Sequence, residues 1–207
     1  MTISYQQEVY RKLIHLSSLW MPVFVLFVPR WWCFLIFTVL LIGNMIIEYG
    51  HYRQWAIIHP IYHFFFGKML RSKPPGVKFQ FSGGPPVLAA AAMCTLLFPN
   101  PLHVFCALTV MLLSDAAAAL IGRRWGRTRF SNGKTMEGSL AFVLVGWLTI
   151  IITGLFADFT GREFAFGIAS IFLAALAECY TKKIRIDDNF SIPLIVGTLL
   201  TIAGWLN

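Results

Sequence analysis

In "SNGKTMEGSLAF", residues 131–142, a lysine, a threonine and a glutamate stand where one apolar run has ended and another is about to begin. Ser131, Asn132, Gly133, Lys134 and Thr135 offer the materials of a phosphate site. Lys134 supplies a cation and Thr135 a hydroxyl, Gly133 and Gly138 permit close backbone approach, and the free N–H groups of a following helix would point at the same spot. Glu137 adds a carboxylate suited to Mg2+, which commonly binds through one or two carboxylates together with phosphate oxygens. No GxxxxGK[ST] loop occurs anywhere in the chain. A helix cap, with Thr135 bonding a helix N–H and Glu137 favouring the dipole, explains the same residues, and the two readings are compatible.

A second set of chemical groups lies just upstream, in "LLSDAAAALIGRRWGRTRF", residues 112–130. Asp115 falls inside an apolar run, where a carboxylate is costly enough to suggest a functional site. Its spacing from Ala118, Ala119 and Gly122 puts all four on one helical face. Small residues there could serve a close helix contact, with Asp115 paired to an arginine. They could equally admit a nucleotide or a metal, with Arg123 the first of four arginines beside it.

A third stretch, "AECYTKKIRIDDNFSIPL", carries Glu178, Lys182, Asp187, Asp188 and Asn189 ahead of another apolar run. Asn189 is a plausible helix cap and Pro193 fits a first helical turn. Glu178, four residues before Lys182, could make a helical ion pair or face a site. Near the start, "RKLIH" places Arg11 and His15 on one helical face, with His15 either an acid or base or an interfacial residue bonded to backbone or headgroup. His51, His59, His63 and His103 show no metal-ligand spacing, and Glu48 reads as structural.

The elements that must position these groups are membrane helices. Of 207 residues, 57% are hydrophobic and 13% charged, against about a quarter charged in soluble domains. Seven apolar stretches approach the length needed to cross the bilayer: 13–29, 32–47, 85–99, 102–121, 139–157, 164–179 and 190–206. An all-α, polytopic, single-domain protein of about seven transmembrane helices is expected over residues 1–207. Residues 51–84 mix aromatic, histidine and basic side chains, predicting an interfacial amphipathic helix and then a Pro/Gly loop. There Gly83 and Gly84, with the aromatics upstream, form either a gate for a lipid headgroup or an aromatic belt with a helix break.

Seven spans with a cytoplasmic N-terminus put 15 of the 17 lysines and arginines inside, leaving Arg30 and Arg162 outside, so the C-terminus is expected outside. The polar start lacks a cleavage pattern, so the N-terminus is expected to be retained. The net charge of +8 is scattered in short clusters, which excludes nucleic acid as a partner and favours anionic lipid or a phosphate-bearing ligand. Four single cysteines without a CxxC pair read as packing residues.

Taken in order, "RKLIH", "SDAAAALIGRRWG", "KTMEGSLAF" and "AECYTKKIRIDDNFSIPL" resemble the CTP-dependent lipid alcohol kinases, the family of dolichol kinase, phytol kinase and the CTP-dependent diacylglycerol kinase. The resemblance runs from Arg11 to Pro193. It implies an integral membrane enzyme that moves the γ-phosphoryl group of CTP onto a lipid hydroxyl with a divalent cation. Such chemistry must neutralise triphosphate charge, align the hydroxyl and take its proton. On that basis Asp115, Glu137 and one of Asp187 or Asp188 are expected to hold Mg2+, with Lys134, Arg123 and Lys182 on phosphates. Asp187 or Asp188 could also be the base, and the sequence does not choose between them.

Phosphatidate cytidylyltransferase is similar too, with an aspartate followed by KTxEG, but its late basic and glycine-rich signature is replaced here by "IRIDDNFSIPLIVG", and 207 residues is short for it. A proton-coupled transporter would also use a buried acid, yet the polar residues crowd one membrane face. The partners expected are CTP, a membrane lipid alcohol and the bilayer itself. The expected location is a bacterial or archaeal cell membrane in preference to the endoplasmic reticulum, with the site facing the cytoplasm.

Overall fold

The computed structural model describes residues 5–66, 79, 81–130, 133–184 and 186–206, with backbone alone for 65–66 and 181–184. Among the described residues the chain is helical throughout: α1 (Tyr5–Ser17), α2 (Trp20–Phe27), α3 (Arg30–Tyr52), α4 (Ile58–Phe66), α5 (Gly84–Leu97), α6 (Pro101–Trp125), α7 (Met136–Phe156), α8 (Gly161–Ile184) and α9 (Asp188–Trp205). The one ladder contact described is an isolated antiparallel bridge between Arg129 and Thr135.

Among the described residues, four helices are long and apolar enough to cross a bilayer: α3, α6, α7 and the Gly161–Tyr180 part of α8. The expected first span, 13–29, is instead two helices, because Pro22 has no N–H to give the carbonyl of Ser18 and the chain turns at Ser18 and Leu19. The expected 85–99 span becomes α5, an apolar helix of 14 residues. The 190–206 run becomes α9, which has 18 residues and opens on Asp188 and Asn189. The interfacial segment holds α4 as expected, and 67–78 lie outside the described residues.

Helix α6 is the centre of the bundle, packing on α7, α9, α1, α2 and α5. Asn100 caps its start by accepting from Leu102 N at 2.9 Å, and Pro101 occupies the first turn, where its missing N–H costs nothing. Leu108, Met111 and Leu112 from α6 meet Phe37, Phe142, Ile150, Ile171, Ile192 and Leu200 in a core closed to solvent. The outward faces are apolar as well, with Phe27, Leu155, Phe156 and Trp205 exposed, the inversion that a lipid environment permits. Near the end of α6, the small residues let α7 in: a Cβ on Gly138 would stand 2.8 Å from the Ala118 carbonyl oxygen and 3.2 Å from Gly122 Cα.

Candidate active site

At one end of the bundle, four helices and a connection bring charged groups together: the second half of α1, the second half of α6, the connection into α7, the end of α8 and the start of α9. Asp115 projects from α6 at about 15 Å of helical rise from its end, within the helix's apolar run. It is buried, and its Oδ2 accepts from Lys12 Nζ and lies 3.4 Å from His15 Nε2. Lys134 Nζ donates to Glu178 Oε1 at 2.7 Å and to Asp188 Oδ2 at 3.2 Å. Carboxylate oxygens of Asp115, Glu178 and Asp188 fall within 4.8 Å of one another.

Local structure aims these groups. Between α6 and α7 the chain turns back on itself, with Phe130 N donating to Lys134 O at 2.8 Å and Gly133 at φ 87°, a left-handed conformation that favours glycine. That turn delivers Lys134 to the cluster. Thr135 then caps α7, its Oγ1 accepting from Gly138 N at 3.2 Å. On α9, Asp187 is the cap, accepting from Asn189 N at 3.0 Å and from Asn189 Nδ2 at 2.9 Å, which leaves Asp188 to face the cluster. Burial would lower the pKa of the Lys134 ammonium, but Glu178 and Asp188 outweigh it and hold the group above the ordinary lysine value. Lys134 is therefore cationic at every physiological pH.

Asp115, Asp188 and Lys134 meet as the sequence predicts, and Glu137 does not join them. Its Oε1 accepts the backbone N–H groups of Arg127 at 3.0 Å and Thr128 at 3.2 Å, so Glu137 ties down the α6–α7 connection. Glu178 takes the place expected of it, although Glu178 could have been spent on an ion pair along its own helix. Gly138 serves the contact between α6 and α7, and Asp187 serves the cap. Arg123 lies at the rim, 3.4 Å from Glu8, whose carboxylate also holds Arg11 at 3.2 Å. Gly83 adjoins α9, since a Cβ there would stand 3.9 Å from Asn189 Nδ2, and Gly84 packs on Asn44 of α3. Their loop is fixed through Ser82, which donates its N–H to Glu48 at 2.7 Å and its hydroxyl to the same carboxylate. Ser131, Asn132 and the Lys182 side chain lie outside the described residues.

Two site residues escape a reading by motif: Glu8 and Lys12, both buried. Their spacing of four, shared with Arg11 and His15 on one face of α1, is the signal that could have found them. For a cation, the donor set is three carboxylates and so wholly oxygen, which fits a hard ion such as Mg2+.

No protein-family model and no solved structure matches the chain. It is similar to phytol kinase of Synechocystis, 31% identical over 122 residues that make up 53% of this chain and 49% of that protein. It is similar also to probable phytol kinase 2, chloroplastic, of rice, 32% identical over 97 residues, 42% of this chain and 32% of that protein. The chain thus spans about half the length of one and a third of the other. A relative matched end to end is the uncharacterized protein RP860 of Rickettsia prowazekii, 31% identical over 205 residues, 99% of this chain and 98% of that protein. The chain, phytol kinase-like over half its length, belongs to the family of RP860.

Proposed function

We propose that the protein is a membrane lipid alcohol kinase that transfers the γ-phosphoryl group of CTP to the hydroxyl of a polyprenol, a phytol-like alcohol or a diacylglycerol, with Mg2+. The observation that carries the reading is the meeting of Asp115, Glu178 and Asp188, from three helices, with Lys134 from a fourth connection, at one end of an apolar bundle. A long-chain alcohol stays in the bilayer with its hydroxyl near the headgroups, while a nucleotide arrives from water. The cluster, where the start of α9 and the α6–α7 connection meet Asp115, lies at an end of the bundle that both could approach. The names of the two phytol kinases support an alcohol acceptor, and CTP as donor rests on the resemblance of the four sequence motifs.

In this reading Asp115, Glu178 and Asp188 would hold a divalent cation, which supplies charge neutralisation at the phosphates. Lys134 binds and orients the phosphate chain, and Arg123 guards the rim. The hydroxyl oxygen forms the new bond to the γ-phosphorus as the bond to the β–γ bridging oxygen breaks, and CDP leaves. With Asp187 committed to the α9 cap, the hydroxyl proton passes to Asp188. Eight described basic residues lie at this end of the bundle, Arg11, Lys12, Arg53, Arg123, Arg124, Arg127, Arg129 and Lys134, against Arg30 and Arg162 at the other. That excess supports a cytoplasmic position for this end.

The test is direct. Purified protein is incubated with CTP labelled at the γ-phosphorus, Mg2+ and each lipid alcohol in turn. Label in the lipid is the expected result, and pyrophosphate release with a CDP-lipid would make the protein a cytidylyltransferase instead. Repeating the assay with ATP and GTP measures donor choice.

A further inference from the structure

Helix α1 is an amphipathic helix turned inside out. Glu8, Arg11, Lys12 and His15 form its inward face against α6, while Tyr10, Leu13 and Ile14 are exposed. A lysine on a surface helix ordinarily lays its stem on apolar surface and keeps its ammonium in water. Lys12 does the reverse, 8% exposed with its Nζ on Asp115. Stability alone is a poor reason for such a pair, because apolar side chains of the same volume often serve as well or better. Nor is Lys12 needed to dock α1, since Glu8 already reaches Arg123 of α6.

The charge pattern gives the pair a role. Lys12 and Lys134 face Asp115, Glu178 and Asp188, so two ammonium groups already sit on the oxygens that a cation would need. A divalent ion entering alone would have to displace them into an apolar surrounding. One entering with a triphosphate brings anionic oxygens onto which the ammonium groups can transfer. We propose that Lys12 is a second phosphate-binding, catalytic cation, which neutralises Asp115 until nucleotide arrives and then moves to a phosphate oxygen. In consequence the site binds metal weakly without nucleotide and tightly with it. This rests on the kinase reading above.

The experiment uses full-length protein in detergent, with Mn2+ as a spectroscopic probe in place of Mg2+ and a non-transferable CTP analogue. Wild type is expected to bind free Mn2+ at least about tenfold more weakly than Mn2+ with the analogue, the scale of one charge-assisted hydrogen bond. Lys12→Met should shift the preference by about a hundredfold towards free metal, binding free Mn2+ about tenfold more tightly and the Mn2+–analogue complex about tenfold more weakly, while Lys12→Arg keeps the wild-type order. A lysine that only neutralises Asp115 would also free that carboxylate for metal on removal, so the weaker binding of the Mn2+–analogue complex is the readout that a merely structural role would not give. Unchanged affinities in Lys12→Met, or weaker binding of free Mn2+, would overturn the proposal. If Lys12→Met does not fold, Lys12→Met/Asp115→Asn is compared with Asp115→Asn, a pair of variants in which no carboxylate is left buried without its partner. Analogue affinity should fall by about a further tenfold, and equal affinity overturns the role. Wild type that neither binds the analogue nor transfers phosphate defeats the kinase reading itself. Wild type that does both, with Lys12 variants unaltered, defeats only the role of Lys12.

Discussion

Two buried acidic networks sit at opposite ends of the same bundle, and they are built on different principles. At the far end, Glu163 of α8 accepts from Thr160 N at 2.9 Å and Thr160 Oγ1 at 2.8 Å through one oxygen, and meets His103 Nε2 at 2.9 Å through the other. The spacing of Thr160 and Glu163 is that of a capping box, so the helix that carries the acid also satisfies it. His103 continues to Thr201 Oγ1 at 3.4 Å and ties α6 to α9. At the other end three carboxylates from α6, α8 and α9 share two ammonium groups, each delivered by a different segment. One network is closed, with one carboxylate oxygen satisfied by the sequence neighbour Thr160 and the other by His103 of α6. The other has an excess of anions over cations and depends on long-range packing for every contact. Burial does not distinguish them; the balance of charge and the origin of the partners do.

The sharpest way to break this contrast is at Asp115. Asp115→Asn keeps the shape and an acceptor for Lys12 but removes one anion from the cluster, and phosphate transfer should fall by about a thousandfold or more in the labelled-CTP assay. Near-normal turnover would mean that the cluster is as structural as Glu163. Glu178→Gln should cost about a hundredfold, since Lys134 keeps Asp188 as a partner when the charge on Glu178 is gone. The far end should answer in the opposite currency. Glu163→Gln is expected to lower stability by about 1–3 kcal/mol, read from chemical or thermal unfolding in detergent, with turnover of the remaining folded protein unchanged. A loss of turnover larger than the loss of folded protein would show the two ends to be coupled.

The sequence carries a good deal of this contrast, and the exceptions have physical causes. Asp115 is legible because a carboxylate in an apolar run is costly wherever the helix points. Thr135 is legible as a cap because capping is local, settled within three residues, whereas the α9 cap falls on Asp187, two residues before the Asn189 that the sequence suggests. The long spans of α3, α6 and α7 follow from hydropathy, whereas the break at Ser18 and Leu19 depends on one proline in a run that otherwise reads as a single span. Lys12 was concealed because a lysine near the start of a membrane protein reads as a marker of topology, and only the docking of α1 on α6 shows which way its face turns. The choice between Glu137 and Glu178 is set by the register of α7 against α6 and α8, which no spacing along one helix encodes.

That choice gives the smallest effect and the most discriminating comparison. Glu178 belongs to the cluster and Glu137 does not, although the motif containing Glu137 is the more conspicuous in sequence. Yet Glu137 accepts two backbone N–H groups from Arg127 and Thr128, the same donors that a neutral amide oxygen can accept. Glu137→Gln therefore exchanges two charge-assisted hydrogen bonds for two ordinary ones, a small loss in stability read from thermal unfolding. Because the connection from Arg127 to Lys134 would loosen slightly, the KM for nucleotide should rise by no more than about threefold while kcat holds. Measured side by side, Glu178→Gln should lower kcat far more than Glu137→Gln does. If the two fall equally, Glu137 must turn inward during turnover, the α6–α7 connection becomes part of the moving machinery, and the division between a charge cluster that acts and caps that only hold would have to be redrawn around that loop.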